Sequence, residues 1–141
     1  MEISTQPKLQ FRGIDVIETH FSCKKRFNDD IDIPIQIKVV PKVFYPKENK
    51  RAFSIFMNTF VTVEDYFDLN VRAVGHFVLD GDITSEIKLT FINTNAPAIM
   101  FPYLRSFIST FTSNLGTSIK TLTIPPQFFK GNIESIEGEE E

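Results

Sequence analysis

Two histidines and one cysteine are all that this 141-residue chain sets beside its carboxylates for acid–base, nucleophilic or metal chemistry. Glu18 and His20 stand two apart, which puts both on one face of an extended strand. Asp80 shares a strand face with His76, but four residues of extended chain span roughly 13 Å, too far for a direct pair. Neither histidine has a metal-ligand spacing such as HExxH or HxH. Cys23 is alone, so an internal disulfide and a multi-cysteine metal site are both excluded. Lys24 and Lys25 beside it favour a thiolate, yet no histidine adjoins it, and a passive thiol at a strand end is the simpler reading. The six glycines are scattered, with no phosphate-cradling loop, nucleophile elbow or dinucleotide fingerprint among them. The expectation is a protein that is not an enzyme and uses no metal or cofactor.

Charge narrows the partners. The formal charge is −3, yet Asn132 to Glu141 carry five glutamates and no basic residue, so residues 1–131 stand near +2. A nearly neutral body lacks the basic field that nucleic-acid binding requires, and Lys24-Lys25-Arg26 is too short a cluster to supply it. The acidic end reads as a solubilising, disordered tail. No apolar run approaches a membrane span, and the amino terminus, MEISTQPKLQ, lacks the plan of a secretion signal. With one cysteine and no such segment, a cytoplasmic location without membrane insertion is expected.

The elements that must position these residues are mostly strands. After an arm of residues 1–8, four strand-like segments run over Leu9–Cys23, Ile31–Tyr45, Arg51–Tyr66 and Leu69–Asp80. In the second, Ile31, Ile33, Ile35, Ile37 and Val39 alternate with Asp32, Pro34, Gln36 and Lys38, giving one dry and one wet face. Pro34 and Pro41 cannot donate to a ladder, so that strand should lie at an edge, bulge or break. The third is apolar on both sides, with Phe53, Ile55 and Met57 on one and Phe56 and Phe60 on the other. Such a strand needs two covers. The fourth repeats the pattern more weakly, and Gly75 suits a bulge or a close approach. Ile83–Phe91 fits either a short helix or a fifth strand.

Asn95–Gly116 carries helix signals at both ends: Asn95 as N-cap, Pro97 in the first turn and Gly116 after the last. Met100, Leu104, Phe107, Ile108, Phe111 and Leu115 form one apolar stripe, while Arg105, Ser106, Ser109, Thr112 and Ser113 fill the other side. Pro102 should kink or restart the helix. Within this segment, Phe101-Pro102-Tyr103, one residue, then Arg105 resembles the helix of SecB-like export chaperones, where a Pro-Asn-Ile-Leu-Phe-Pro-Tyr-Ala-Arg run occupies this place. It follows four strands and precedes an apolar, proline-containing stretch, Leu122–Phe129, as in that family. The resemblance covers roughly residues 9–130, loosely in the strands and well in the helix.

The resemblance implies an α+β fold with a four-stranded antiparallel sheet and two helices packed on one face. It implies a single domain over residues 1–131, with 132–141 as tail. It further implies an ATP-independent holdase that keeps non-native polypeptides in apolar grooves and assembles as a homotetramer, a dimer of dimers. The role would lie in protein export or in stabilising a dedicated client such as an antitoxin. The fifteen phenylalanines, more than a core of this size readily absorbs, suit such grooves and contacts. Phe56, Phe60, Phe67, Phe77, Phe101, Phe128 and Phe129 are the candidate client-binding residues. Of these Phe60, Phe67, Phe128 and Phe129 are the hardest to place in a core by periodicity. Tyr66 to Val71 and Gly75-His76-Phe77 also resemble a family strand, but Asn70 stands where members that bind the translocation motor carry a carboxylate. Beyond Phe129 the family continues as a helix, whereas here Gly131 leads into glutamates. The other reading is a small α+β module that binds an apolar ligand or a protein partner without chaperone activity.

Overall fold

A computed structural model describes residues 6–26, 34–117, 119, 121–125 and 134–135. Four long strands, β1 (Lys8–Cys23), β2 (Gln36–Phe44), β3 (Ala52–Val63) and β4 (Phe67–Asp80), form an antiparallel sheet in the order β1-β4-β3-β2. A two-residue strand, β5 (Glu134–Ser135), pairs in parallel with the outer side of β2. Glu134 and Ser135 fall in the segment expected to be unstructured tail; residues 136–141 lie outside the described residues.

The two central strands set the layers. On β3, Phe53, Ile55, Met57, Thr59, Val61 and Val63 are buried in strict alternation. Their register partners on β4, Phe67, Leu69, Val71, Ala73 and Phe77 among them, are buried on the same face. β2 is an edge strand apart from β5, which is where Pro41 can sit without an N–H to offer. The bulges fall on β1, at register shifts between Phe11 and Gly13 and between Val16 and Glu18, and not at Gly75. Gly13 takes a left-handed φ of 122° at the first of them. Gly75 serves the close approach instead: a Cβ there would stand 3.0 Å from Met100 Sδ and 3.1 Å from Phe77 Cε2.

Among the described residues one continuous helix crosses the buried face, where two were expected. It comprises α1 (Ser85–Thr90), a π-helical turn (Phe91–Asn95) and α2 (Ala96–Ser113) without a break. Ile83–Phe91 thus resolves in favour of helix, capped by Thr84, whose hydroxyl accepts from Ile87 N at 3.1 Å. Asn95 is no cap; its backbone is helical and its side chain makes no capping bond. The wide turn has a local cause. Pro97 has no N–H for the Asn93 carbonyl and its ring would crowd it, and the extra residue immediately upstream relieves both, Ala96 N reaching back to Phe91 O. Pro102 lies inside α2 on its exposed side without ending it.

After α2 the described residues run as an extended strap, and the position beyond Phe129 at which the family continues as a helix lies outside the described residues. Gly116, at φ 109°, turns the chain, after which Ile119, Leu122 and Ile124 are buried in the core. The polar side of α2 holds this strap instead of facing water. Arg105 Nε donates to Ile124 O at 2.6 Å, Ser109 Oγ to Leu122 O at 2.9 Å, and Leu122 N to Thr112 Oγ1 at 2.9 Å. These bonds satisfy strap backbone that has no ladder of its own.

Two substitutions test this packing by thermal or denaturant unfolding. Gly75→Val places methyl groups against Met100 and should cost about 1–3 kcal/mol, as overpacking does. Thr59 is fully buried, and its hydroxyl finds no partner among the described residues. Thr59→Val should therefore leave stability unchanged or raise it by about 1 kcal/mol, and a clear loss would show that the hydroxyl has a partner.

Candidate functional site

The face of the sheet opposite the helix carries the titratable residues. On β1 and β4, Glu18 accepts from His20 Nε2 and from Arg72 Nη1, both at 2.9 Å. Asp15 Oδ2 lies 2.9 Å from His76 Nε2, and His76 Nδ1 lies 3.2 Å from Ser54 Oγ on β3. Because a carboxylate only accepts, Nε2 of His76 donates to Asp15, which leaves Nδ1 facing the serine hydroxyl. Asp80, as expected, does not reach His76; it accepts from Gln10 Nε2 at 3.3 Å. Asn70 Nδ2 donates to Asn58 Oδ1 at 2.5 Å and to Thr59 O at 3.1 Å.

The Glu18–His20 proximity was legible from their spacing. The Asp15–His76–Ser54 chain was not, because it needs the register of three strands. Its order of carboxylate, imidazole and hydroxyl is that of an acid–base relay. However, β3 and β4 are paired on both sides, so their amides are spent on ladders and none is aimed at an oxyanion beside Ser54. The network ties side chains across the sheet. Among the described residues no group of three or more His, Cys, Asp or Glu is placed to hold a metal ion. Cys23 is exposed, its thiol directed to Lys25 O at 3.3 Å.

The aromatic candidates divide. Phe67, Phe77 and Phe101 are core residues, 1%, 1% and 3% exposed, which corrects the placement of all three on client-binding surface. Phe67 opens β4 on the helix side opposite Val63, in a cluster with Leu69 and Phe21. Phe77 stacks on Phe53 with ring centroids 5.3 Å apart. Phe60 and Phe56 do lie on the open face. Phe60 is 38% exposed, in register with Lys38 and Asn70, and Phe56 is half-buried against Phe44. Phe128 and Phe129 lie outside the described residues.

A second apolar surface escaped the sequence reading. Along the seam between β1 and α2, Phe11 meets Tyr103 at 5.2 Å, Phe21 meets Phe111 at 6.2 Å, and Phe107 stacks on Phe111 at 5.9 Å. These phenylalanines are only half-buried, Tyr103 is 53% exposed, and Val16 and Ile17 at the second bulge are exposed beside them. The helix stripe of Phe107 and Phe111 was the available signal; what could not be read was that the stripe overhangs the sheet edge.

A four-stranded antiparallel sheet with a long helix across one face and a buried strap defines an α+β class, and comparison places it more closely. The SecB-like chaperone Rv1957 of Mycobacterium tuberculosis, solved in complex with a ChAD peptide from the HigA1 antitoxin, superposes with a TM-score of 0.66. The match covers 83% of this chain and 90% of that one at 18% identity. The chain therefore has the SecB-like fold. A protein of unknown function from Streptococcus agalactiae shows a weaker likeness, TM-score 0.50 at 13% identity, covering 85% of this chain and 98% of that one. In sequence, an uncharacterized protein of Methanocaldococcus jannaschii is 26% identical over 97% of this chain and 90% of its own length. No family model matches the sequence.

Two measurements follow from the site geometry. Glu18 is held below its ordinary value of 4.5, first by the His20 hydrogen bond and then by that of Arg72. Its contribution to stability is thus present above pH 4.5 and is lost as pH falls through the lower folded pKa. Carboxyl titration by NMR should show that low midpoint, and His20→Ala should move it upward. Separately, Phe67→Ala should cost about 3–5 kcal/mol as a core truncation, whereas Phe60→Ser should leave the melting temperature nearly unchanged.

Proposed function

We propose that this chain is a polypeptide-binding chaperone that holds non-native segments on apolar surface, without catalysis or nucleotide, and works as a homotetramer of two dimers. The observation that carries the reading is the seam of half-buried rings between β1 and α2, on a fold shared with a SecB-like chaperone. Left in water such a surface is costly, and covering it returns about 25 cal/mol per Å². Closure of the seam by a second copy would leave Phe60 and its surroundings on the open face for clients. Many weak apolar contacts suit a holdase, since none demands a particular client sequence.

The fold neighbour was solved with a peptide from an antitoxin, which supports a dedicated client of that kind as one form of the role. Export remains the other. Asn70, bonded to Asn58, presents an amide on the open face where members that bind the translocation motor carry a carboxylate, so a dedicated client is favoured.

Native mass spectrometry at micromolar concentration should give tetramers, and Tyr103→Asp should shift them to smaller species. Phe60→Ser should keep the assembly and the melting temperature while suppression of aggregation of a reduced, unfolded client falls. A parent protein that stays monomeric and leaves client aggregation unaltered would remove the proposal.

A further inference from the structure

The chain's two histidines, His20 and His76, both stand on the open face of the sheet, and each is hydrogen-bonded to a carboxylate of β1. We infer that the β1–β4 half of this face is a charge selector set by protons: with both imidazoles neutral it disfavours client segments that carry carboxylates, and with both protonated it favours them. The inference rests on the reading of the open face as client-binding surface, and adds to it which clients are held and under what condition.

The cluster is close-knit. Asp15 Oδ2 meets His76 Nε2 at 2.9 Å, and Glu18 uses one oxygen for Arg72 Nη1 and the other for His20 Nε2, both at 2.9 Å. With neutral imidazoles, two carboxylates against one guanidinium leave the cluster one charge negative. Two imidazolium charges leave it one positive, so its sign reverses. Histidine is the side chain that changes charge between about pH 5 and 8. Glu18 stays ionised through that range, because the His20 hydrogen bond and then that of Arg72 hold it below its ordinary 4.5.

The added protons break nothing. His76 Nδ1 faces Ser54 Oγ at 3.2 Å, and a hydroxyl accepts as well as donates. The His20 side chain is 69% exposed, so water solvates its charge. The other charged side chains of the four strands are Lys8, Arg12, Lys38, Lys42, Asp68 and Asp80, with none on β3, and Lys24 closes on Asp68 at 3.8 Å. Lysine, arginine and aspartate titrate outside that range as classes, so these residues add a constant field and cancel from any comparison across it. His20 is in register with Asn70, and Asn70 with Phe60. A client resting on Phe60 therefore lies two strand spacings from His20, roughly 10 Å and about one Debye length.

The test uses the full chain and rhodamine-labelled decapeptides of repeated Leu-Asp or Leu-Lys, read by fluorescence anisotropy at about pH 8 and about pH 5.5. Affinity for Leu-Asp should rise by about tenfold on acidification, and affinity for Leu-Lys should fall. The rise should shrink at high salt, as an exposed charge effect does. A His20→Gln, His76→Gln double variant should bind Leu-Asp equally at both pH values. His20→Lys, at the more exposed of the two, fixes one positive charge and should strengthen Leu-Asp binding at the higher pH by about threefold. Binding of Leu-Asp that is the same at both pH values, a rise that persists in the double variant, or no gain in His20→Lys would each overturn the inference and leave the holdase reading standing. Absence of binding by either peptide at either pH would overturn both.

Discussion

Everything in this structure depends on the pairing of β3 with β4 under a single helix. The two strands put an unbroken apolar surface on one side, from Phe53 and Phe77 at one end to Val63 and Phe67 at the other, and α2 with its strap closes it. Burial of that surface is the dominant favourable contribution to the fold. One helix is narrower than a sheet of four strands, however. The strap of Ile119, Leu122 and Ile124 completes the cover, and it can do so only because Arg105, Ser109 and Thr112 bind its backbone. An extended segment in a core would otherwise leave its polar backbone unsatisfied.

Closing one face leaves the other to be managed without a layer of its own. β1 and β4 manage it with charge pairs and hydrogen bonds: Glu18 with Arg72 and His20, and Asp15 with His76, whose other ring nitrogen meets Ser54 of β3. β3 adds only Ser54 and Asn58 to these bonds, and Phe56 and Phe60 remain there. The open face is thus polar on the β1 side and aromatic toward β2. The seam on the far side of β1 is aromatic again, because α2 overhangs the edge. Apolar surface is therefore concentrated at the two flanks of the sheet, where a chain laid along a strand or a second copy would find it.

The strands were largely legible in the sequence because their signal is local. The alternation of Ile37 and Val39 with Gln36 and Lys38, and the two-sided character of β3, survive into the structure. The helix start was misread for a physical reason. Asn95 and Pro97 are good first-turn residues, but the same proline that suits a start is also tolerated after a π-turn, and Thr84 supplies the true cap eleven residues earlier. Phe67 was misplaced because a residue at a turn looks exposed by periodicity, while the register puts it opposite Val63 in the core. The polar side of α2 looked solvated because its partners are backbone carbonyls, which carry no sequence signature. The Asp15–His76–Ser54 network spans residues 61 and 22 apart and needed the register of three strands.

The π-turn at Phe91–Asn95 has a geometric consequence for the whole rod. One residue added to an α-helix rotates everything beyond it by about 100°, the angle of a single step. α1 and α2 therefore belong to one rod but not to one phase. The stripe that buries Met100, Leu104 and Ile108 cannot be continued backward through the turn by counting threes and fours. α1 has no buried residue at all, and Leu89 points to solvent while Lys88 sits over the Tyr45 ring at 5.0 Å. The phase change lets a single helix serve two different neighbours, the sheet along one length and the end of β2 along the other, with no loop between them.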